Sequence, residues 1–278
     1  MGYKIVLDSG GEMTESMRKS GKVEMVPLIL EIGEETIVDN GILSQIDIVN
    51  RIAQAKDCPK TACPSPETYR QACDCDAERV YVVTLSAKLS GSYQSAMTGK
   101  MMLEEERDDI QVYVFNSRSA SIGETLIALK IEELEEQGLG FEEVVKETEA
   151  YIDEMRTFFV VDNLETLRKN GRLSLLKCAA ATFLKIKPIC ASTPDGEIEQ
   201  IDQARGIKRA MEKMADYATH HGRDKNNRLG ISFVNCRERA EGLKGVILEK
   251  LKVKDTLVEE TGGLSTVYAN DGGVIMVI

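Results

Sequence analysis

The sequence predicts an α/β protein of two domains: a mostly parallel sheet within residues 1–156 and a smaller domain with a mixed sheet within residues 157–278. Three observations predict it. Short apolar runs alternate with amphipathic stretches through the first half, the pattern of a parallel sheet covered by helices on both faces. Around Arg156-Thr157 the pattern changes to short strands with hairpin-length connections, which calls for antiparallel pairs. Between Val80 and Ala96, VYVVTLSAKLSGSYQSA, an apolar run breaks into a polar loop and resumes as a helix.

Taken in order, Lys4–Leu7 is a first strand, ending in Asp8-Ser9-Gly10-Gly11, with a helix expected over Met13–Lys19. Val23–Leu30 reads as one strand and Glu31–Asp39 as a hairpin turn. Ser44 precedes a helix to about Ala55, with Ile48, Val49 and Ile52 on one face. Thr61 lies on an extended segment, because Pro64 holds Cys63 out of the helical region. Ser65 then caps a helix that carries Pro66 at its first position, where the missing N–H costs nothing. Val80–Val83 is a buried strand, and Tyr93–Glu106 a helix whose Met residues at helical spacing read as core. Val112–Phe115 is a strand. Gly123–Gln137 is a helix with Glu132, Glu133, Glu135 and Glu136 as a solvated face, and Phe141–Met155 is another helix. Strands follow at Phe158–Val161, Lys187–Ser192, Ile198–Ile201, Leu229–Val234, Leu257–Glu259 and Val274–Ile278. Helices are expected over Leu175–Leu184, Gly206–His220 and Arg237–Leu251.

Composition narrows the function classes. A net charge of −11 opposes binding to nucleic acid, which needs clustered positive charge. Aromatic residues are 5% of the chain and Trp is absent, which disfavours stacking platforms for bases. No segment approaches the roughly 18–20 consecutive apolar residues of a membrane span, so membrane contact is at most transient. The first residues form a strand rather than a signal peptide, so the expected location is the cytoplasm. The seven Cys match no paired CxxC arrangement, and the two His are adjacent at 220 and 221, so reduced thiols and no metal are expected.

The chemistry concentrates in two loops. Ser86–Ser92 joins a strand to a helix, and a helix N-terminus presents unpaired N–H groups and a positive dipole to an anion. Ser90 or Ser92 can equally serve as a plain cap. Thr61 sits just ahead of a second helix N-terminus. There is no G-x-S-x-G elbow, no phosphate-binding P-loop pattern and no G-x-G-x-x-G fingerprint. The basic residues Arg168, Lys169, Arg172, Arg205, Lys208 and Arg209 form either a docking patch for a partner subunit or a solvated face.

The segments Thr61-Ala62-Cys63-Pro64-Ser65-Pro66, Leu89-Ser90-Gly91-Ser92-Tyr93-Gln94-Ser95-Ala96 and Lys169-Asn170-Gly171-Arg172-Leu173-Ser174 together resemble the DegV family of bacterial fatty-acid-binding proteins. Asp8-Ser9, Asn116-Ser117 with Ser121 and Gly123, and Gln203-Ala204-Arg205 fall where that family has similar short motifs, so the resemblance runs over the whole chain. It implies a two-domain DegV-like fold holding one long-chain fatty acid in an interdomain tunnel. Thr61 and Ser90 would hydrogen-bond the carboxylate, with the Gly91 N–H and the Ser92 hydroxyl nearby, all of them uncharged donors. A separate fatty acid kinase subunit would phosphorylate the acid for phospholipid synthesis, so the chain itself would hold no catalytic residue and no cofactor, and Arg172 and Arg205 would dock the kinase. The sequence departs from the family pattern at Ala62-Cys63 (usually Ser-Gln), at Asn170 (usually Gly) and at Ala269-Asn270-Asp271-Gly272-Gly273 (usually His-Thr-Gly-Pro-Gly). The competing readings are a small-molecule hydrolase or transferase using Ser90 or a Cys, and a sensor whose lipid occupancy controls a protein contact.

Overall fold

The computed structural model describes residues 2–162, 164–173, 186–222 and 228–278; the helix expected over Leu175–Leu184 lies outside the described residues. The first half contains β1 (Tyr3–Asp8), α1 (Glu15–Ser20), β2 (Val23–Val26), β3 (Ile29–Ile32), β4 (Glu35–Val38) and α2 (Gln45–Gln54). It continues with β5 (Lys60–Ala62), α3 (Pro66–Cys73), β6 (Arg79–Thr84), α4 (Ser92–Glu106), β7 (Gln111–Asn116), α5 (Ile122–Glu136) and α6 (Phe141–Glu154). The second half contains β8 (Thr157–Val160), α7 (Glu165–Lys169), β9 (Ile186–Ser192), β10 (Ile198–Arg205), α8 (Ile207–His221) and β11 (Arg228–Phe233). It closes with α9 (Arg237–Lys250), β12 (Asp255–Glu260), α10 (Gly263–Ala269) and β13 (Val274–Val277).

Two main sheets carry the fold. The first is four-stranded and parallel, in the order β2-β1-β6-β7. Its central strands are continuous apolar runs because helices cover both faces: Val80 through Val83 are buried to 1% exposure or less. The second is six-stranded, in the order β10-β9-β8-β13-β11-β12, antiparallel except for the β11–β12 pair. On β8 the period of two divides the side chains cleanly. Phe158 and Val160 enter the core under α8 and α9, while Phe159 and Val161 face the opposite side, toward the first half.

Several expectations need correction. The single strand Val23–Leu30 is two. Pro27 has no N–H to continue a ladder, and beyond it β3 leaves the parallel sheet to form a small antiparallel sheet, β4-β3-β5, with Thr61 paired to Leu30. The hairpin turn of β3 and β4 is at Gly33, in the left-handed region. The α5 acidic face is not simply solvated. This helix is sandwiched between the two sheets, touching β1 and β6 on one side and β11 and β13 on the other. Glu135 is buried there, accepting from the Tyr81 hydroxyl and pairing with Arg79 at 3.0 Å, and Glu133 pairs with Arg228 at 3.1 Å. The short helix α10 was not expected at all.

Candidate functional site

Thr61 occupies the middle of β5, half-buried between the exposed Lys60 and Ala62, so strand alternation alone turns it inward. The chain then leaves toward α3, whose start is fixed as expected: the Ser65 hydroxyl accepts from the Thr68 amide (3.2 Å) and Pro66 opens the helix. The second loop is built on Ser86. Its amide donates to Ser119 O (2.9 Å) and its hydroxyl to Gly196 O (2.8 Å), while its carbonyl accepts from the amides of Leu89 (2.9 Å) and Ser90 (3.1 Å). This compact turn delivers Ser90 and Gly91 to the start of α4. Ser90 acts as a cap, its hydroxyl accepting from the Ser92 amide at 3.2 Å. Capping and ligand contact are compatible, because a hydroxyl oxygen accepts while its own proton stays available.

The two loops meet. Thr61, Ser90 and Gly91 line one cavity of about 340 Å³ lying between the two halves of the chain. Gly91 and Cys63 face each other closely enough that a Cβ on Gly91 would sit 3.0 Å from Cys63 Sγ. Most of the wall is apolar: Leu85 and Leu89 from the β6–α4 connection, Phe159 and Val161 from β8, Leu167 from α7, and Leu264 from α10. The volume lies within the usual range of about 300–1,000 Å³ for small-molecule sites.

The remaining predicted residues distribute differently. Ser92 is fully buried and not on the cavity wall; its hydroxyl is hydrogen-bonded to that of Ser90 at 2.9 Å. Arg172 does line the cavity, with Nε donating to Leu89 O at 3.2 Å, so a cation stands beside the Ser90 loop and the donors there are not all neutral. Arg205 is exposed at the far end of β10, whose first residue Ile198 bridges to Leu173. Seven steps along this eight-residue strand, at about 3.3 Å each, separate those ends by roughly 23 Å. The structure therefore does not bring Arg172 and Arg205 into one patch. Asn170, at the end of α7, donates to Pro59 O (2.9 Å) and ties that helix to the segment preceding Thr61.

Sequence reasoning missed Tyr268. It projects from α10 onto Thr61, the two hydroxyls 2.8 Å apart, and it lines the same cavity. Also missed were three carboxyls buried just behind the loops: Asp8, Glu12 and Glu124 are all 5% exposed or less. Burial pushes all three up from the ordinary carboxylate range, Glu12 to about 8. The Glu12 carboxylate accepts from Ser121 Oγ at 2.6 Å, and Ser121 Oγ lies 2.7 Å from Ser232 Oγ on β11. Both hydrogen bonds of Ser90 Oγ are to Ser92, the first residue of α4, whereas His220 and His221, at the end of α8, bond the backbone carbonyls of Asp216 within that helix and of Glu154 at the end of α6. Among the described residues, no group of three or more His, Cys, Asp or Glu is arranged to hold a metal ion, the cysteines are free thiols, and no helix is long and apolar enough to cross a membrane.

Comparison with known proteins places this geometry in context. The family model described as "Uncharacterised protein, DegV family" matches residues 3–278. A DegV domain-containing protein of Streptococcus pyogenes serotype M1 is 33% identical over 282 residues, covering 99% of both chains. The crystal structure of a DegV family protein from Ruminococcus gnavus, refined with vaccenic acid, is 49% identical and superposes with a TM-score of 0.96 over 99% of both chains. The Fatty Acid Kinase (Fak) B3 protein of Streptococcus pneumoniae, loaded with linoleic acid, is 29% identical with a TM-score of 0.90, covering 100% of this chain and 99% of that one.

Proposed function

The chain belongs to the DegV family, and from that premise we propose that it binds one long-chain fatty acid in the cavity between its two halves and presents the carboxylate to a separate kinase subunit. What carries the reading is the cavity itself, apolar over most of its wall and lined at one place by Thr61, Ser90 and Gly91. In this reading residues 1–156 carry the head-group loops and residues 157–278 complete the acyl tunnel. Structural relatives that carry fatty acids support it.

The physical case has two parts. The acyl chain supplies affinity: at about 0.8 kcal/mol per buried CH₂, some fifteen methylenes contribute roughly 12 kcal/mol before the costs of association. The head group supplies orientation. The hydroxyls of Thr61 and Ser90 and the Gly91 amide hold one face of the carboxylate, leaving an oxygen free to attack a phosphoryl group supplied by the kinase. Arg172, on the cavity wall beside Leu89, adds a positive charge. The chain's part is to bind, orient and release. Docking of the kinase falls to the exposed Arg205 with its neighbours Lys208 and Arg209 on α8.

Extraction of the purified protein followed by mass spectrometry is expected to return one long-chain acid per chain, and Thr61→Ala with Ser90→Ala to release it. Incubation with a fatty acid kinase subunit and ATP should yield acyl-phosphate, and Arg205→Glu should lower that yield with the lipid still bound. Full lipid retention by the double variant removes the head-group assignment; lipid bound without acyl-phosphate removes the kinase step.

A further inference from the structure

The head-group loop of the first half is fastened to a turn of the second. Ser86 is fully buried and is not one of the residues lining the cavity, yet all of its polar groups are engaged. Its carbonyl accepts from the amides of Leu89 and Ser90, its hydroxyl oxygen accepts from the Lys88 amide at 3.2 Å, and its hydroxyl proton goes to Gly196 O at 2.8 Å. Gly196 belongs to the turn between β9 and β10, 110 residues away in sequence. That turn is closed on itself: Gly196 N donates to Thr193 O (2.9 Å), Thr193 N to Glu197 O (2.8 Å) and Glu197 N to Thr193 Oγ1 (3.0 Å). Gly196 stands at a φ of +84°, and a Cβ there would overlap Ser86 Oγ and lie 2.7 Å from Arg118 Cα. Glycine is what lets the turn come this close.

A second path joins the same two places. Ser86 N donates to Ser119 O, Ser119 Oγ is 2.6 Å from Thr157 Oγ1 at the start of β8, and Thr157 N donates to Ser192 Oγ (3.1 Å) at the end of β9. From Ser192 the chain runs through the turn to Gly196 and so back to Ser86. This ring crosses between the two halves twice, and Ser119, Thr157, Ser192 and Gly196 all line the same cavity as Ser90 and Gly91. Lys88 and Glu197 also face each other across the junction at 3.9 Å, but both side chains are half exposed and the pair contributes little.

We propose that the Ser86–Gly196 hydrogen bond is a clasp by which the second half of the chain sets the geometry of the carboxylate donors carried by the first. Ser86 is a positioning residue: it stands off the cavity wall and acts through the turn that delivers Ser90 and Gly91. The inference rests on the fatty-acid reading above. Donors held in place before the ligand arrives lose little freedom on binding, so loosening the turn costs affinity for the carboxylate. The acyl tail lies against other residues and keeps its contacts. What the clasp controls is therefore the preference for an acid over the alcohol of the same chain length.

Displacement of a fluorescent fatty acid from the delipidated full chain, by palmitate and by 1-hexadecanol, gives a ratio of two Kd values in which losses common to both ligands cancel. The native protein is expected to favour palmitate. Ser86→Ala, which adds no volume to its buried site, is expected to bind palmitate roughly 2- to 12-fold more weakly, the range for one net hydrogen bond, with hexadecanol within about 2-fold of native. Gly196→Ala, which pushes the turn off Ser86, is expected to lower the preference in the same direction; thermal unfolding checks that each variant is folded. An unchanged preference in either folded variant overturns the proposal. So does an equal loss for both ligands in Ser86→Ala, which would make Ser86 a purely structural residue. A native protein that binds palmitate no better than hexadecanol overturns the head-group assignment, and one that binds neither overturns the fatty-acid reading, the clasp falling with each.

Discussion

The hydrogen bond between Thr61 and Tyr268 decides what Thr61 can offer a ligand. The two hydroxyls are 2.8 Å apart and a phenol is the stronger donor; with Tyr268 giving its proton to Thr61 Oγ1, the threonine proton is left for the cavity. Tyr268→Phe removes that constraint and lets the threonine hydroxyl turn. A net hydrogen bond of about 0.5–1.5 kcal/mol corresponds to a roughly 2- to 12-fold weaker Kd. Tyr268 is only half-buried, so the folded state should lose little stability. A fluorescent fatty-acid displacement titration beside a thermal melt checks both halves of the expectation. Thr61 and Ser90 were legible in the sequence because each stands next to a helix start with a capping signature that any reader of the chain can find. Tyr268 was not, because its partner is 207 residues away and nothing local marks it. The same holds for Arg172 and Arg205: charge alone suggested one patch, and only the strand β10 between them shows two places.

At the scale of elements, the positions of Ser90 and Ser92 depend on how closely α4 packs against α3. The contact is made at Gly99, where an added Cβ would lie 2.5 Å from Pro66 O, 2.9 Å from the Arg70 amide and 2.9 Å from Tyr69 Cβ. These are backbone atoms and a Cβ, none of which can swing aside, so Gly99→Ala forces the helices apart. Overpacking costs about 1–3 kcal/mol, which outweighs the roughly 0.5–1 kcal/mol that alanine gains over glycine inside a helix. Gly242 in α9 is the control: it is exposed, and a Cβ there meets nothing within 4 Å. Gly242→Ala should therefore stabilise by about 0.4–1 kcal/mol. Urea denaturation of the two variants is expected to give shifts of opposite sign. The strands and long helices were legible because apolar runs and periodic faces are local signals. The small sheet β4-β3-β5 was not, since its pairing is set by where Pro27 ends the first ladder. Nor was α10, seven residues that begin at a glycine and are too few to show a period.

For the molecule as a whole, the seam between the two sheets is the part most exposed to pH. Across it run Ser121 to Ser232, Ser119 to Thr157 at 2.6 Å, Gln45 to Phe233 O at 2.8 Å and Ser86 to Gly196 O at 2.8 Å. Glu12 sits in that seam, bonded to Ser121, and its sequence neighbours gave no sign that a glutamate there would be sealed from water. Burial pushes its carboxyl from the ordinary 4.5 up to about 8, against the opposing pull of hydrogen bonds from Ser121 and the Gly262 backbone. The sign follows from proton counts. Below about 4.5 both folded and unfolded chains hold the proton and stability is full; above it the unfolded chain ionises while the folded one does not. Each pH unit up to about 8 then removes about 1.4 kcal/mol from this group's contribution, after which the loss is complete. Burial shifts Asp8 and Glu124 in the same direction. The melting temperature should therefore fall steadily as pH is raised from about 5 to about 8.5, a window in which exposed carboxylates no longer titrate. Glu12→Gln keeps the shape and removes the titration, so its profile over that window should be flatter than the native one. A variant profile as steep as the native one would mean that Glu12 is charged in the folded protein, and that the seam tolerates an anion where its burial argues for a neutral acid.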